Sequence, residues 1–258
     1  MMTLSEIKSF YPVALQSKGA FLLREYLQYK ILSLLFESEY ANKFAFLGGT
    51  CLRIVHNNQR FSEDLDFDNF NLTQKDFEQV AAIIQQGLEK EGYEVTLRNV
   101  FKSAFHCYVR FPGLLFKEGL SAHKEAKILI NLDTEPQHFE FELQSDFLNK
   151  FDVFTTIKTT PLDILLSQKF TALTQRKRPK GRDFFDVVFL LSKTKPNYDF
   201  LKHSLDISDA KQLRAYILER CKAYDLKALA KDVQPFLFQS TAVNRVLQFE
   251  QYIQNANL

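Results

Sequence analysis

Residues 46–68 read FLGGTCLRIVHNNQRFSEDLDFD, and no other stretch narrows the fold as much. A short apolar run, Phe44–Leu47, reads as a buried strand. It stops at Gly48-Gly49, whose missing side chains permit a tight turn. Thr50–His56 then reads as a helix opened by that turn, and Glu63–Phe67 as a second strand. Side chains alternate along a strand, so Arg60, Ser62, Asp64, Asp66 and Asp68 are expected on one face and Phe61, Leu65 and Phe67 on the other. A lone acidic turn is most often a solvated edge. The order strand, glycine turn, helix, acidic strand makes that the poorer account here.

The rest of the chain divides in two. Phe21–Glu37 carries apolar residues on more than one face and is expected to be a well-buried helix. Thr73–Lys90 is a helix with Thr73 as its N-cap. Tyr93–Phe101, Ala104–Phe111, Ala126–Leu132 and Phe151–Lys158 alternate in the manner of strands. From Pro161 the pattern is helical: Leu162–Arg176, Phe184–Ser192, Asp209–Cys221, Leu226–Val233 and Val243–Gln254. The expectation is an α+β protein, with a mixed αβ domain over residues 1–158 and a helical domain over 159–258 that completes a cleft.

Composition removes several function classes. The net charge is only +2, so any nucleic-acid contact must come from a local patch. The three cysteines, Cys51, Cys107 and Cys221, are scattered and form no disulfide framework. The five histidines lack metal-ligand spacing. No apolar run is long enough to span a membrane, and the first residues lack the features of a signal peptide. A cytoplasmic protein without a membrane partner is expected.

The acidic strand carries the chemistry. Carboxylates on alternate residues stand about 6–7 Å apart and can converge on paired Mg²⁺ ions about 3.5–4 Å apart. Mg²⁺ prefers such hard oxygen ligands and fills its shell with substrate phosphates. The Gly48-Gly49 turn lets a phosphate approach the backbone at the start of a helix.

Gly48-Gly49-Thr50, Arg60, Ser62 and Asp64-Leu65-Asp66-Phe67 resemble the first motif of the AbiEii/AbiGii-type nucleotidyltransferase toxins of the DNA-polymerase-beta-like superfamily. The resemblance continues in Leu162–Arg176 and in Arg182-Asp183-Phe184-Phe185-Asp186. It implies a nucleotidyltransferase-type mixed sheet followed by a helical half. It also implies transfer of a nucleoside monophosphate from an NTP to an acceptor hydroxyl, the end of a tRNA in characterised relatives, and a cognate antitoxin encoded nearby. Asp64 and Asp66 are then the Mg²⁺ ligands, with Mn²⁺ able to substitute. Gly48, Gly49, Thr50, Arg60 and Ser62 hold the triphosphate. The middle motif departs from the family, which has a lysine and then an acidic residue two positions on. Lys127 is present, as a further substrate-binding residue, but Leu129 takes the acidic place. Asp133 shares that strand face about 13 Å further along. Glu142 or Asp183 is left to serve as the base.

In Leu162–Arg176 the apolar positions Leu162, Leu165, Leu166 and Leu173 follow helical spacing, and Lys169 falls within or beside their stripe. A lysine there must meet an anion or reach water. A triphosphate clamp formed with Arg176 is expected. On that reading, replacing Lys169 by Met leaves stability unchanged or slightly raised. The turn Gln175–Arg182 holds five basic residues in eight, a candidate contact for RNA phosphates or the NTP tail through Arg182 and its neighbours. Asp183 is a further catalytic candidate, and Asp186 is expected to pair with a basic neighbour. Two other functions stay open: transfer to a small molecule, as in aminoglycoside nucleotidyltransferases, and a degenerate nucleotide-binding regulator, for which Leu129 is the best argument.

Overall fold

A computed structural model describes all 258 residues. Contacts divide the chain into two units. The first comprises residues 1–56, 61–138 and 143–159, and the second residues 57–60, 139–142 and 160–258.

In chain order the first unit contains α1 (Leu4–Ser9), α2 (Gly19–Phe36), β1 (Phe44–Leu47), α3 (Gly48–Ile54), β2 (Leu65–Asn69), α4 (Gln74–Lys90), β3 (Thr96–Phe101), β4 (Phe105–Phe111), α5 (Leu114–Lys117), β5 (Ile128–Pro136), β6 (Gln144–Lys150) and β7 (Val153–Thr159). The strands form one seven-stranded sheet in the order β3-β4-β5-β2-β1-β7-β6. The β2–β5 and β1–β7 pairs are parallel and the rest antiparallel. Such a mixed sheet needs crossover connections as well as hairpins.

One sheet face is the core. Phe67 of β2 meets Phe44 and Phe46 of β1 and Phe36 of α2, with ring centroids 5.5–6.3 Å apart. Phe77 of α4 packs on Phe101 and Phe105. As expected, α2 is buried nearly all round, including Leu23, Tyr26, Leu27, Ile31 and Leu32. Thr73 caps α4 reciprocally with Asp76, which satisfies two N–H groups the helix cannot pair internally.

The buried Glu25 of α2 gathers the neighbouring elements. It accepts from Arg53 of α3, Lys150 at the end of β6 and the Tyr11 hydroxyl, each at 2.8 Å. Burial alone would push its carboxyl up. Arg53 and Lys150 more than offset that and hold it below the usual carboxylate range. The ion pair fixes α3, and with it the glycine turn.

The second unit contains α6 (Leu162–Gln175), α7 (Gly181–Leu191), α8 (Tyr198–Leu205), α9 (Ala210–Cys221), α10 (Leu226–Val233), α11 (Asn244–Leu247) and α12 (Phe249–Asn255). Gly181 sets the start of α7. Its N–H donates to Asp232 at 2.9 Å, and a side chain there would strike the Leu229 carbonyl of α10. Phe184 of α7 packs on Phe249 of α12, centroids 4.8 Å apart. No helix is long and apolar enough to cross a membrane.

Candidate active site

The carboxylate face of the first unit's sheet lies opposite the core face. Leu65 and Phe67 are buried, Phe67 against Phe36 of α2 and the phenylalanines of β1, which turns Asp66 the other way, where it is half-buried. Gly48 lies beneath it. Its φ of +78° is in the region that favours glycine, and a Cβ there would overlap the Asp66 carboxylate. Glycine is therefore required twice at this turn, by backbone conformation and by the close approach of Asp66.

Asp64 sits one residue ahead of β2. The extended segment carrying it is held through three successive carbonyls. The Gln28 side-chain amide of α2 donates to the carbonyls of Ser62 and Glu63, at 3.2 and 3.0 Å, and the Thr50 hydroxyl donates to that of Asp64. Thr50 is fully buried. Its hydroxyl is committed to the Asp64 carbonyl and so positions that segment. Ser62 is half-buried.

The sheet register supplies what the middle motif lacked. In the parallel β2–β5 pair Asp66 stands beside Asp133, on strands about 4.8 Å apart, and register partners share a face. The distance of Asp133 from Leu129 along β5 is thus no obstacle. Leu129 is opposite Arg110, away from Asp66. Lys127 is exposed and precedes β5 altogether, about 20 Å along the strand from Asp133. The structure does not bring it to the carboxylates. On the other side of Asp133, His106 of β4 is its antiparallel partner, with Nδ1 2.8 Å from Oδ1. No three His, Cys, Asp or Glu side chains converge on a single ion position. Mg²⁺ commonly needs only one or two carboxylates, because waters and substrate phosphates complete its shell.

The second unit builds a charged cluster of its own. Asp186 is fully buried and accepts from Arg60 Nε at 2.7 Å, Arg60 Nη2 at 2.6 Å and Asn58 at 2.9 Å. Lys169 reaches Asp186 at 2.9 Å and Asp183 at 3.0 Å. Asp183 also pairs with Arg176 at 3.0 Å. Burial would raise the Asp186 carboxyl, but Arg60 and Lys169 hold it below its usual range. Burial would lower the Lys169 ammonium, but Asp186 and Asp183 hold it above its usual range. Asp186 thus pairs with basic neighbours, as its sequence position suggested.

Arg60 has a different task from the one expected. It is 1% exposed, lies outside β2 in a bridge with Leu237, and spends its guanidinium on Asp186. Asp183 likewise holds two cations in a buried setting. The cluster has three cations against two carboxylates, and its surplus positive charge sits at the half-exposed Arg176. Arg182, next to this cluster in sequence, stacks on Phe236 at 4.6 Å.

Residues 30–251 match the model of the "Nucleotidyl transferase AbiEii toxin, Type IV TA system" family. That match covers most of the chain. The chain belongs to the AbiEii family. Among solved structures it is similar to JHP933 of Helicobacter pylori, at 16% identity over 91% of this chain and 90% of that one, with a TM-score of 0.56. It is also similar to MenT4, a nucleotidyltransferase toxin of Mycobacterium tuberculosis, at 16% identity over 100% of this chain and 91% of that one, with a TM-score of 0.57. These likenesses establish a shared fold. A search of curated proteins gives no match. AbiEii membership makes the chain a nucleotidyltransferase toxin of a type IV toxin–antitoxin system, which implies an antitoxin partner.

Within this AbiEii chain, Gly48, Asp64, Asp66 and Asp133 fall on adjoining segments of one unit, while Lys169, Arg176 and Asp183 form the cluster of the other. Sequence reasoning missed His106, Gln28 and Asn58, and it set Asp133 aside for its distance along the strand from Leu129. Asp133 could have been found by pairing its strand with the DxD strand instead of counting from Lys127.

Proposed function

We propose that the chain transfers a nucleoside monophosphate from an NTP to an acceptor hydroxyl at the end of a tRNA, with Asp64 and Asp66 holding Mg²⁺. The donor chemistry fits that ion, because both ligands are hard carboxylate oxygens. When bound, Mg²⁺ supplies positive charge to the triphosphate as negative charge develops on the leaving pyrophosphate. Gly48, Gly49 and Ser62 adjoin the Asp64–Asp66 carboxylates, and the phosphates are received at this edge of the site. Asp133 takes the proton of the acceptor hydroxyl, whose oxygen attacks the α-phosphorus in line while pyrophosphate departs. In the second unit Lys169 is held by Asp183 and Asp186, and the surplus charge at Arg176, with Arg182, offers a contact for RNA phosphates.

The observation that carries this reading is the register of Asp133 with Asp66. It provides a third carboxylate where the linear motif has Leu129. The degenerate-regulator reading rested on Leu129 and loses its main support. The basic turn weighs against a small-molecule acceptor.

The test is incubation of the purified chain with each α-labelled NTP, Mg²⁺ and total tRNA. Label should pass to tRNA with at least one NTP and vanish in Asp64→Ala. The same substitution should relieve the growth arrest caused by expressing the wild-type chain. A folded wild-type protein that labels no RNA with any NTP overturns the proposal.

A further inference from the structure

Three adjacent strands place His106, Asp133 and Asp66 side by side on one sheet face. Asp66 and Asp133 are like-charged groups on neighbouring strands, an arrangement that pushes their carboxylates apart. The orientation of Asp133 beside Asp66 therefore calls for a partner. The Nδ1 of His106 lies 2.8 Å from Asp133 Oδ1, and both side chains are about one-third exposed, at 30% and 35%. An ionised carboxylate can only accept, so the proton of this hydrogen bond is on Nδ1.

We infer that His106 is a positioning residue for the transfer reaction: by donating from Nδ1 it pins one oxygen of Asp133, so that the other is presented to the acceptor hydroxyl. The inference rests on the nucleotidyltransferase reading given above. It assigns His106 no proton transfer and no ligand role. Its contribution is the orientation of the Asp133 carboxylate beside Asp66. The half-buried setting suits this task, since the imidazole is anchored on β4 while the carboxylate edge stays open to substrate.

Positioning makes a distinctive kinetic prediction. Misplacement of a reacting group by about 1 Å costs on the order of 10²-fold in rate, whereas binding of the NTP does not pass through His106. His106→Leu should therefore lower kcat by roughly 10²-fold while leaving KM for the NTP within a few-fold of wild type. His106→Asn can place an amide N–H near the position of Nδ1 and should recover most of that loss. His106→Gln, whose amide falls nearer the position of Nε2, should not. In an Asp133→Asn background, His106→Leu should add no further loss, because the group it orients is already disabled.

The assay is single-turnover labelling of tRNA with Mg²⁺ and the NTP that the wild type uses, alongside thermal melts. The Asn/Gln comparison keeps the test informative if the leucine variant fails to fold. Wild-type rates in His106→Leu or His106→Gln, or additive losses with Asp133→Asn, overturn the positioning role while leaving the transferase reading intact. A wild-type chain that transfers nothing overturns both.

Discussion

Replacing Lys169 by Met separates two accounts of the same residue. Beside an apolar stripe, the sequence suggested a lysine searching for an anion, so its removal should relieve the fold. The structure shows the anions already in place. Lys169 Nζ lies 3.0 Å from Asp183 and 2.9 Å from Asp186, whose side chains are 3% and 0% exposed. Methionine would fill the alkyl volume but leave both carboxylates short of a cation. Removing one partner of a buried ion pair costs about 3–5 kcal/mol. Here the lower end applies, because Asp186 keeps its two-pronged contact with Arg60 and Asp183 keeps Arg176. A loss of about 3 kcal/mol corresponds to a fall of roughly 6–12 °C in Tm for a chain of this size. Thermal and denaturant unfolding of Lys169→Met measure it, and adding Asp183→Asn should recover part of the loss by removing the stranded charge. A Lys169→Met protein as stable as wild type, or more stable, would refute the reasoning.

Two further outcomes follow from geometry and charge. Gly48→Ala places a Cβ against the Asp66 carboxylate at a positive φ, which costs about 1–2 kcal/mol in backbone strain. It should lower Mn²⁺ affinity in a calorimetric titration and reduce transfer by more than that instability explains; wild-type affinity and rate would dismiss the close-approach argument. Glu25 and Asp186 have folded pKa values below their unfolded ones, so their stabilisation is complete above roughly pH 5 and is lost as pH falls through the lowered values. Melts between pH 3 and 7 should show Tm dropping on the acid side, less so in Asp186→Asn. An equal drop in that variant would remove Asp186 from the account.

Legibility in the sequence followed the range of the forces involved. Local signals were readable. Phe44–Leu47, the glycine turn, the Thr73 cap and the helix from Leu162 are set by neighbours within a few residues, and the structure has them. β6 escaped notice because it is an edge strand that fully buries only Leu148, so QSDFLNK shows no apolar alternation. Arg60 looked like part of an acidic strand's polar face because the alternation was carried too far upstream. The strand begins at Leu65, and Arg60 answers to Asp186, 126 residues away.

The third carboxylate was hidden for a related reason. Counting along one strand places Asp133 far from where an acidic residue was sought, but sheet chemistry is organised across strands. What matters for a carboxylate facing Asp66 is the partner that hydrogen-bond registry puts beside it. That registry depends on how β2 and β5 bury their apolar faces together: Leu65 beside Leu132, and Phe67 beside Thr134. Slipping the pair by one residue would turn Leu132 and Ile130 to the open face and bring Asp133 into the core, an arrangement burial forbids. The apolar residues of β5 thus fix the position of its single central acid. His106 is fixed in turn by Cys107 and Val109, which bury the alternate face of β4 against the same layer. The alignment of Asp66, Asp133 and His106 across three strands is therefore a consequence of core packing, and it could be read only once the strand order was known.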